Sequence, residues 1–233
     1  MKTPGDEEID TIFFDVDDTL FDQHRAHRLA LKEILEDWSD LFTGVSEEVF
    51  IETFDRADEK AMRDFHEGVP LDRIRKERTE ELLREFGVDV SLAEEFNELF
   101  YDLYPSMETP VEGAKEEVVE LGKNDILGVI TNSSKEVQIC KLRTIQVLDF
   151  FETLVFSEEI GCRKPDPRIF LDAVERVDRR PEDCLYVGDS YTSDVIGADR
   201  VGMRTCWFNP DGKEVPGDVE PELEISNLTE LLR

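Results

Sequence analysis

Two aspartates, Asp15 and Asp17, stand one residue apart in the stretch FFDVDDTL, just after a short apolar run. A second apolar run, CLYV, leads to Gly188, Asp189 and Ser190, with Asp194 five residues past Asp189. A third, ILGVI, leads to Thr131, Asn132 and Ser133. A fourth, at 153–156, is followed by a loop holding Arg163, Lys164 and Pro165. Acidic residues are common in this chain, so an Asp-x-Asp pair by itself says little. The weight lies in four groups, each after or near a different apolar run. Carboxylates brought together there would repel one another unless a cation sat among them.

The chemistry that wants this set is phosphoryl transfer through an aspartate. Asp15 can attack phosphorus and form an acyl phosphate. Asp17, two positions along an extended chain, can lie on the same side. It can protonate the leaving oxygen and then activate water for the second step. A hard divalent cation prefers oxygen ligands and keeps several waters, which suits Mg²⁺ held by Asp15 and Asp189. Thr131, with Asn132 beside it and the nearby backbone N–H groups, can bind phosphoryl oxygens. Lys164 can neutralise charge on nucleophile and phosphate. The substrate expected is a small phosphorylated metabolite.

The elements that must position these residues follow from periodicity. Residues 9–14 read as a buried strand, and strands are expected at 125–130, 153–156, 184–189 and 204–208, with a last one in ELEIS. Helices are expected at 112–122, near 134–146, at about 167–177, near 193–201 and in the closing NLTELLR. Alternating strands and helices imply a parallel sheet covered on both faces. In such sheets function gathers at the carboxyl ends of the strands. Residues 22–104 interrupt the alternation with helical periodicity, expected as helices near 23–39, 46–65, 70–86 and 91–104. The fold expected is α/β: a three-layer, Rossmann-like parallel sheet core (1–21 and 105–233) with an inserted α-helical cap (22–104).

Composition excludes other classes. The chain has 233 residues, with 27 basic and 57 acidic side chains, a formal net charge of −30. That field repels a nucleic-acid polymer or an anionic membrane surface. No apolar run reaches the 18 residues of a membrane span, and the acidic start does not read as a signal peptide. The four cysteines are single, with no CxxC pair, so a reduced, cytoplasmic setting is expected. Arg outnumbers Lys 17 to 10. Many acids with few lysines point to a halophilic protein, whose self-repulsion salt would screen.

These motifs resemble the haloacid dehalogenase (HAD) superfamily over nearly the whole chain. FFDVDDTL at 13–20 looks like its first motif and ITNSS at 130–134 like its second. GCRKPDPRIF at 161–170 looks like the third and VGDSYTSDVIGADRVGM at 187–203 like the fourth. The resemblance implies that Asp15 is the nucleophile and Asp17 the acid/base, with the Asp17 backbone carbonyl also given to Mg²⁺. It implies that Asp189 ligates the metal, that Asp194 orients the metal's waters, and that Thr131 and Lys164 bind phosphate. The insertion matches the helical cap of class I members.

The dehalogenases of the superfamily lack the second aspartate, so Asp17 disfavours carbon–halogen hydrolysis. TCWFNPDG at 205–212, with DVDDTLFD and SEEIGCRKPDPRIF, looks most like the pyrimidine 5′-nucleotidase branch. Phosphatases for phosphoglycolate or glyceraldehyde 3-phosphate share most of these motifs and stand as the alternative. A phosphorelay receiver, a phosphomutase or a retired binding protein are readings from other classes. The second acid and the long cap argue against the first, and the intact site against the last. Among other residues, His24 and His27 are expected on solvated helix positions, and His66 shows no partner. Trp207, Phe208, Trp38, Phe42, Phe50, Phe54 and Phe65 are expected mostly in cores. The oligomeric state is not legible.

Overall fold

The parallel sheet is built around two runs buried along their whole length, as strands covered on both faces must be. In a computed structural model of the chain, which describes residues 9–66, 69 and 71–231, the strands are β1 (Thr11–Phe14), β2 (Ile126–Thr131), β3 (Thr153–Phe156), β4 (Cys184–Gly188), β5 (Arg204–Phe208) and β6 (Leu223–Ile225). They form one sheet in the order β3-β2-β1-β4-β5-β6, parallel throughout. Every residue of β1 and of β4 is buried. Phe13 joins Ile130, Val155, Phe170 and Tyr186 in one hydrophobic cluster. Its neighbour Phe14 meets the Phe151 ring edge-on, as alternating side chains on a strand require.

The strand order reverses between β1 and β4, which is where open α/β sheets leave a crevice at the carboxyl edge. The register sets the depth of that edge. Phe14 lies opposite Val129 of β2 and Val187 of β4, so the three central strands deliver Thr131, Asp15 and Asp189 to neighbouring places. Gly128 of β2 sits opposite Phe13, and a Cβ there would lie 2.5 Å from the Phe13 ring. The bare backbone at 128 is what lets that ring lie flat in the core.

Helices connect the strands from β1 to β5, and the first five follow β1 and precede β2. The first four are α1 (Gln23–Asp37), α2 (Glu47–His66), α3 (Leu71–Glu85) and α4 (Ala93–Leu103). Then come α5 (Ala114–Leu121), α6 (Lys135–Thr144), α7 (Ser157–Ile160), α8 (Pro167–Arg176) and α9 (Ile196–Asp199). The start of α8 shows why the loop before it stops where it does. The Asp166 carboxylate accepts the Arg168 N–H at 2.9 Å, and Pro167 takes the first helical position, where its missing donor costs nothing.

The helix expected near 193–201 takes a different form. A wide π-type turn covers Tyr191–Val195, and only Ile196–Asp199 is α-helical. The Ser190 hydroxyl accepts the Ser193 N–H, and its carbonyl accepts the Asp194 N–H at 2.8 Å. The wider turn brings the Asp194 carboxylate back to the Ser190 N–H, 3.0 Å away. The short α7 had no periodic signal, because four residues make only one turn. The chain end expected as a helix is a 3₁₀ turn, Leu228–Glu230, held by an Asn227–Glu230 capping box, with 232–233 outside the described residues.

Two compact units divide the chain, one of Met1–Gln23 and Glu108–Arg233, the other of His24–Met107. Asp22 and Gln23 are tied to the first: the Asp22 N–H donates to the Thr109 carbonyl, and the Gln23 N–H to the Asp18 carboxylate at 3.0 Å. The second unit is helical, with a core rich in aromatic rings. Phe42 meets Phe50 at 4.8 Å between centroids, and Phe54 meets Phe100 at 5.0 Å. His27 corrects the sequence expectation. It is half-buried rather than solvated, with its ring 4.6 Å from Tyr104 and 5.0 Å from Phe100. His24 is exposed. The side chains of Phe65 and His66 lie outside the described residues. Buried Arg78 lies over the Phe54 ring and donates to Asp58 at 2.6 Å, so its charge is paired.

Candidate active site

Asp15 follows β1 directly, and its backbone N–H continues the ladder to the Val187 carbonyl at 2.9 Å. Its carboxylate is nearly buried and meets the Lys164 ammonium at 2.8 Å. Lys164 also reaches Asp194 at 2.7 Å and the Tyr186 hydroxyl at 2.8 Å. That hydroxyl lies 3.1 Å from the Ile130 carbonyl and 3.2 Å from Asp194, either of which it can serve as donor. One buried cation thus holds two carboxylates at fixed places.

Asp189 comes up on the other side. One carboxylate oxygen each from Asp15, Asp189 and Asp194 lies within 4.8 Å of the others. Three carboxylates against one ammonium leave an excess of two negative charges. The consequence is visible in proton affinity. Burial pushes Asp15 up to about 7, with Lys164 pulling the other way and Asp194 and Asp17 adding to the rise. Burial likewise pushes Asp189 up to about 8, helped by Asp15 and Asp194. Burial works against charge on Lys164, yet Asp15 and Asp194 outweigh it and raise its pKa. An all-oxygen set with an excess charge of −2 fits a hard dication such as Mg²⁺.

The Asp189 backbone is held from two sides. Its N–H donates to the buried Thr19 hydroxyl at 3.1 Å, and its carbonyl accepts the Trp207 indole N–H at 2.8 Å. Trp207 is therefore the core residue expected, and it also fixes the loop that carries Asp189. Gly188 makes room for Asp194. A Cβ at 188 would lie 2.5 Å from the Asp194 Cγ and 2.7 Å from its Cβ.

Thr131 ends β2 and is buried, its hydroxyl accepting the Ser133 N–H at 3.2 Å. The Asn132 side-chain amide is bound to the chain at Lys164. Its Oδ1 accepts the Lys164 N–H at 2.8 Å and its Nδ2 donates to the Lys164 carbonyl at 3.1 Å. The side-chain amide brackets the Lys164 backbone, beside the cis Lys164–Pro165 peptide. Asp17 is also set apart. Its carboxylate does not join the other three but turns toward α6, where Lys141 lies 2.5 Å from Oδ1 and Gln138 donates to Oδ2 at 2.9 Å.

Sequence reasoning missed Lys141, Gln138, Tyr186 and the second duty of Trp207. For the first two a signal existed: Gln138 and Lys141 share one face of the helix that begins beside Thr131. Tyr186 and Trp207 sit inside apolar runs, where only their polar tips hint at more than packing. Cys184 and Cys206 are buried, and burial pushes both thiols up to about 12.

Known proteins resemble this chain along nearly its whole length. The chain is 31% identical to the HAD-hydrolase YfnB of Bacillus subtilis over 95% of this chain and 93% of that one. The crystal structure of YfnB bound to magnesium superposes with a TM-score of 0.83, covering 97% of each chain at 29% identity. The chain is 30% identical to pyrimidine 5′-nucleotidase YjjG of Escherichia coli, over 95% of this chain and 96% of that one. It is also 30% identical to glyceraldehyde 3-phosphate phosphatase of Methanopyrus kandleri, over 96% of both. Residues 9–202 match the family model of the haloacid dehalogenase-like hydrolases, and the chain, with its parallel sheet, its helical insertion and its aspartate cluster, belongs to that family.

Proposed function

We propose that this hydrolase is a Mg²⁺-dependent phosphomonoesterase that works through a phospho-aspartyl intermediate on Asp15. The observation that carries the reading is the buried Asp15–Lys164–Asp194 array with Asp189 beside it. In this reading Asp15 attacks phosphorus while Lys164 offsets the charge of both reactants. Asp17 gives a proton to the leaving oxygen as the P–O bond breaks, then takes one from the water that releases phosphate from Asp15. Thr131 binds phosphoryl oxygens, and Asn132 serves by holding the Lys164 backbone. When bound, Mg²⁺ would be held by Asp15, Asp189 and the Asp17 carbonyl, and would supply positive charge that offsets the charge of the phosphoryl group. Both oxygens of Asp194 already accept hydrogen bonds, from Lys164 and from the Ser190 N–H, which suits a role of orienting waters.

For the substrate, we propose a pyrimidine 5′-nucleotide. The motifs TCWFNPDG and SEEIGCRKPDPRIF and the 30% identity to YjjG support that choice. Equal identity to glyceraldehyde 3-phosphate phosphatase supports a second reading, a small phosphorylated metabolite without a base. Phosphate release from a panel of esters, with Mg²⁺ or with EDTA, separates the two. The expected result is Mg²⁺-dependent release, fastest on UMP, dUMP or dTMP. Fastest release from glyceraldehyde 3-phosphate or phosphoglycolate would keep the chemistry and discard the nucleotidase. No release from any ester would overturn both.

A further inference from the structure

Asp17 is gripped by α6 on both of its oxygens. Lys141 Nζ lies 2.5 Å from Oδ1 and 2.7 Å from Gln23 Oε1, and Gln138 Nε2 lies 2.9 Å from Oδ2. Lys141 and Gln138 are fully buried, whereas the Asp17 side chain stays 24% exposed. The Lys141 ammonium also lies over the Phe21 ring, 5.1 Å from its centroid. Gln138 Oε1 is buried and finds no hydrogen-bond partner among the described residues. A buried amide that leaves its own oxygen unsatisfied in order to present its N–H to Asp17 is not explained by stability, since an apolar side chain of like size would avoid that cost.

We propose that Lys141 and Gln138 are positioning residues that hold the Asp17 carboxylate at the angle proton transfer requires. The proposal rests on the reading of Asp17 as the proton donor to the leaving oxygen. A carboxylate has about four lone-pair sites. Two donors on different oxygens stop it from turning and still leave a site on each oxygen for the reacting proton. At a partly exposed edge, an unheld Asp17 would spend much of its time turned to solvent. The work done by α6 is therefore orientational: it keeps the acid within reach of the oxygen on which charge develops when the P–O bond breaks. Lys164 holds Asp15 in the same way on the other side of the site, so each of the two proposed reacting carboxylates has its own buried lysine.

The test uses leaving-group dependence, which a structural role would not change. kcat/KM reports the steps up to phosphoryl transfer to Asp15. An alkyl alcohol needs the proton from Asp17 in that step, whereas p-nitrophenolate leaves without one. Lys141→Met, Gln138→Leu, Asp17→Asn and the parent enzyme are compared on an alkyl phosphomonoester and on p-nitrophenyl phosphate. The alkyl-to-aryl ratio of kcat/KM is expected to fall roughly 10- to 100-fold in Lys141→Met and in the same direction in Gln138→Leu. Gln138→Leu leaves no buried charge unpaired, so it answers the question if Lys141→Met does not fold. An unchanged ratio in the α6 variants, with a lowered ratio in Asp17→Asn, overturns the positioning role alone. An unchanged ratio in Asp17→Asn overturns the acid role on which it rests.

Discussion

Burial raises the proton affinity of Asp15 and Asp189 in the folded, metal-free site above what either has in the unfolded chain. Their ordinary values lie near 4, and burial moves them up to about 7 and about 8. Between those limits the folded state binds more protons than the unfolded one, so stability falls as pH rises from about 4 to about 8. Thermal midpoints in EDTA should therefore decline across that window, and Mg²⁺ should stabilise most at its upper end. A midpoint that rose with pH in EDTA would contradict the charge accounting. Lys164 is the counterweight. Lys164→Met leaves three crowded carboxylates with no cation, which should cost about 3–5 kcal/mol in EDTA by denaturant unfolding. Mg²⁺ should recover part of that loss. His27 shows the reverse lesson at the same scale: from its neighbours in sequence it reads as a solvated helix residue, yet Phe54, Phe100 and Tyr104 approach it from other helices.

The turn after β4 is the element most finely fitted to the site. Gly188 must be small because Asp194 is folded back over it by the wide turn at Tyr191–Val195. Gly188→Ala should cost about 1–3 kcal/mol through overpacking and weaken Mg²⁺ binding, as calorimetry in EDTA and a Mg²⁺ titration would show. Wild-type Mg²⁺ affinity in that variant would mean that Asp194 can move without consequence. The apolar runs of β1, β2 and β4 and the polar residues that end them were readable along one stretch of chain each. The strand order then brought Asp15, Thr131 and Asp189 to neighbouring places, as an alternating pattern implies. The turn itself was not readable as such: YTSDVIGAD has ordinary helical periodicity, and only the hydrogen bonds among Ser190, Ser193 and Asp194 widen it. The sequence marked the helix α6 near 134–146 but not its contact with Asp17. Asp17 and Lys141 are 124 residues apart, and no local pattern announces a contact made by the sheet order.

For the whole molecule the dominant physical fact is a net charge of −30 on 233 residues. Such self-repulsion disfavours the compact state at low ionic strength, and at about 1 M salt the screening length falls to roughly 3 Å. The thermal midpoint is therefore expected to rise by several degrees from low to multimolar KCl. An unchanged midpoint would remove the case for salt adaptation. The same field sets a demand on the site, because an anionic ester must approach a strongly anionic protein. In the proposed mechanism, Lys164 and a bound dication would be the local features that make phosphorus at Asp15 approachable, so activity should depend on both. The central claim is that phosphorus passes through Asp15, and the most direct test is to trap it there. Acid quench during turnover, borohydride reduction and peptide mass analysis should convert Asp15 to homoserine, with no such product in Asp15→Asn. Turnover with unreduced Asp15, or with the trapped group on another residue, would contradict the account.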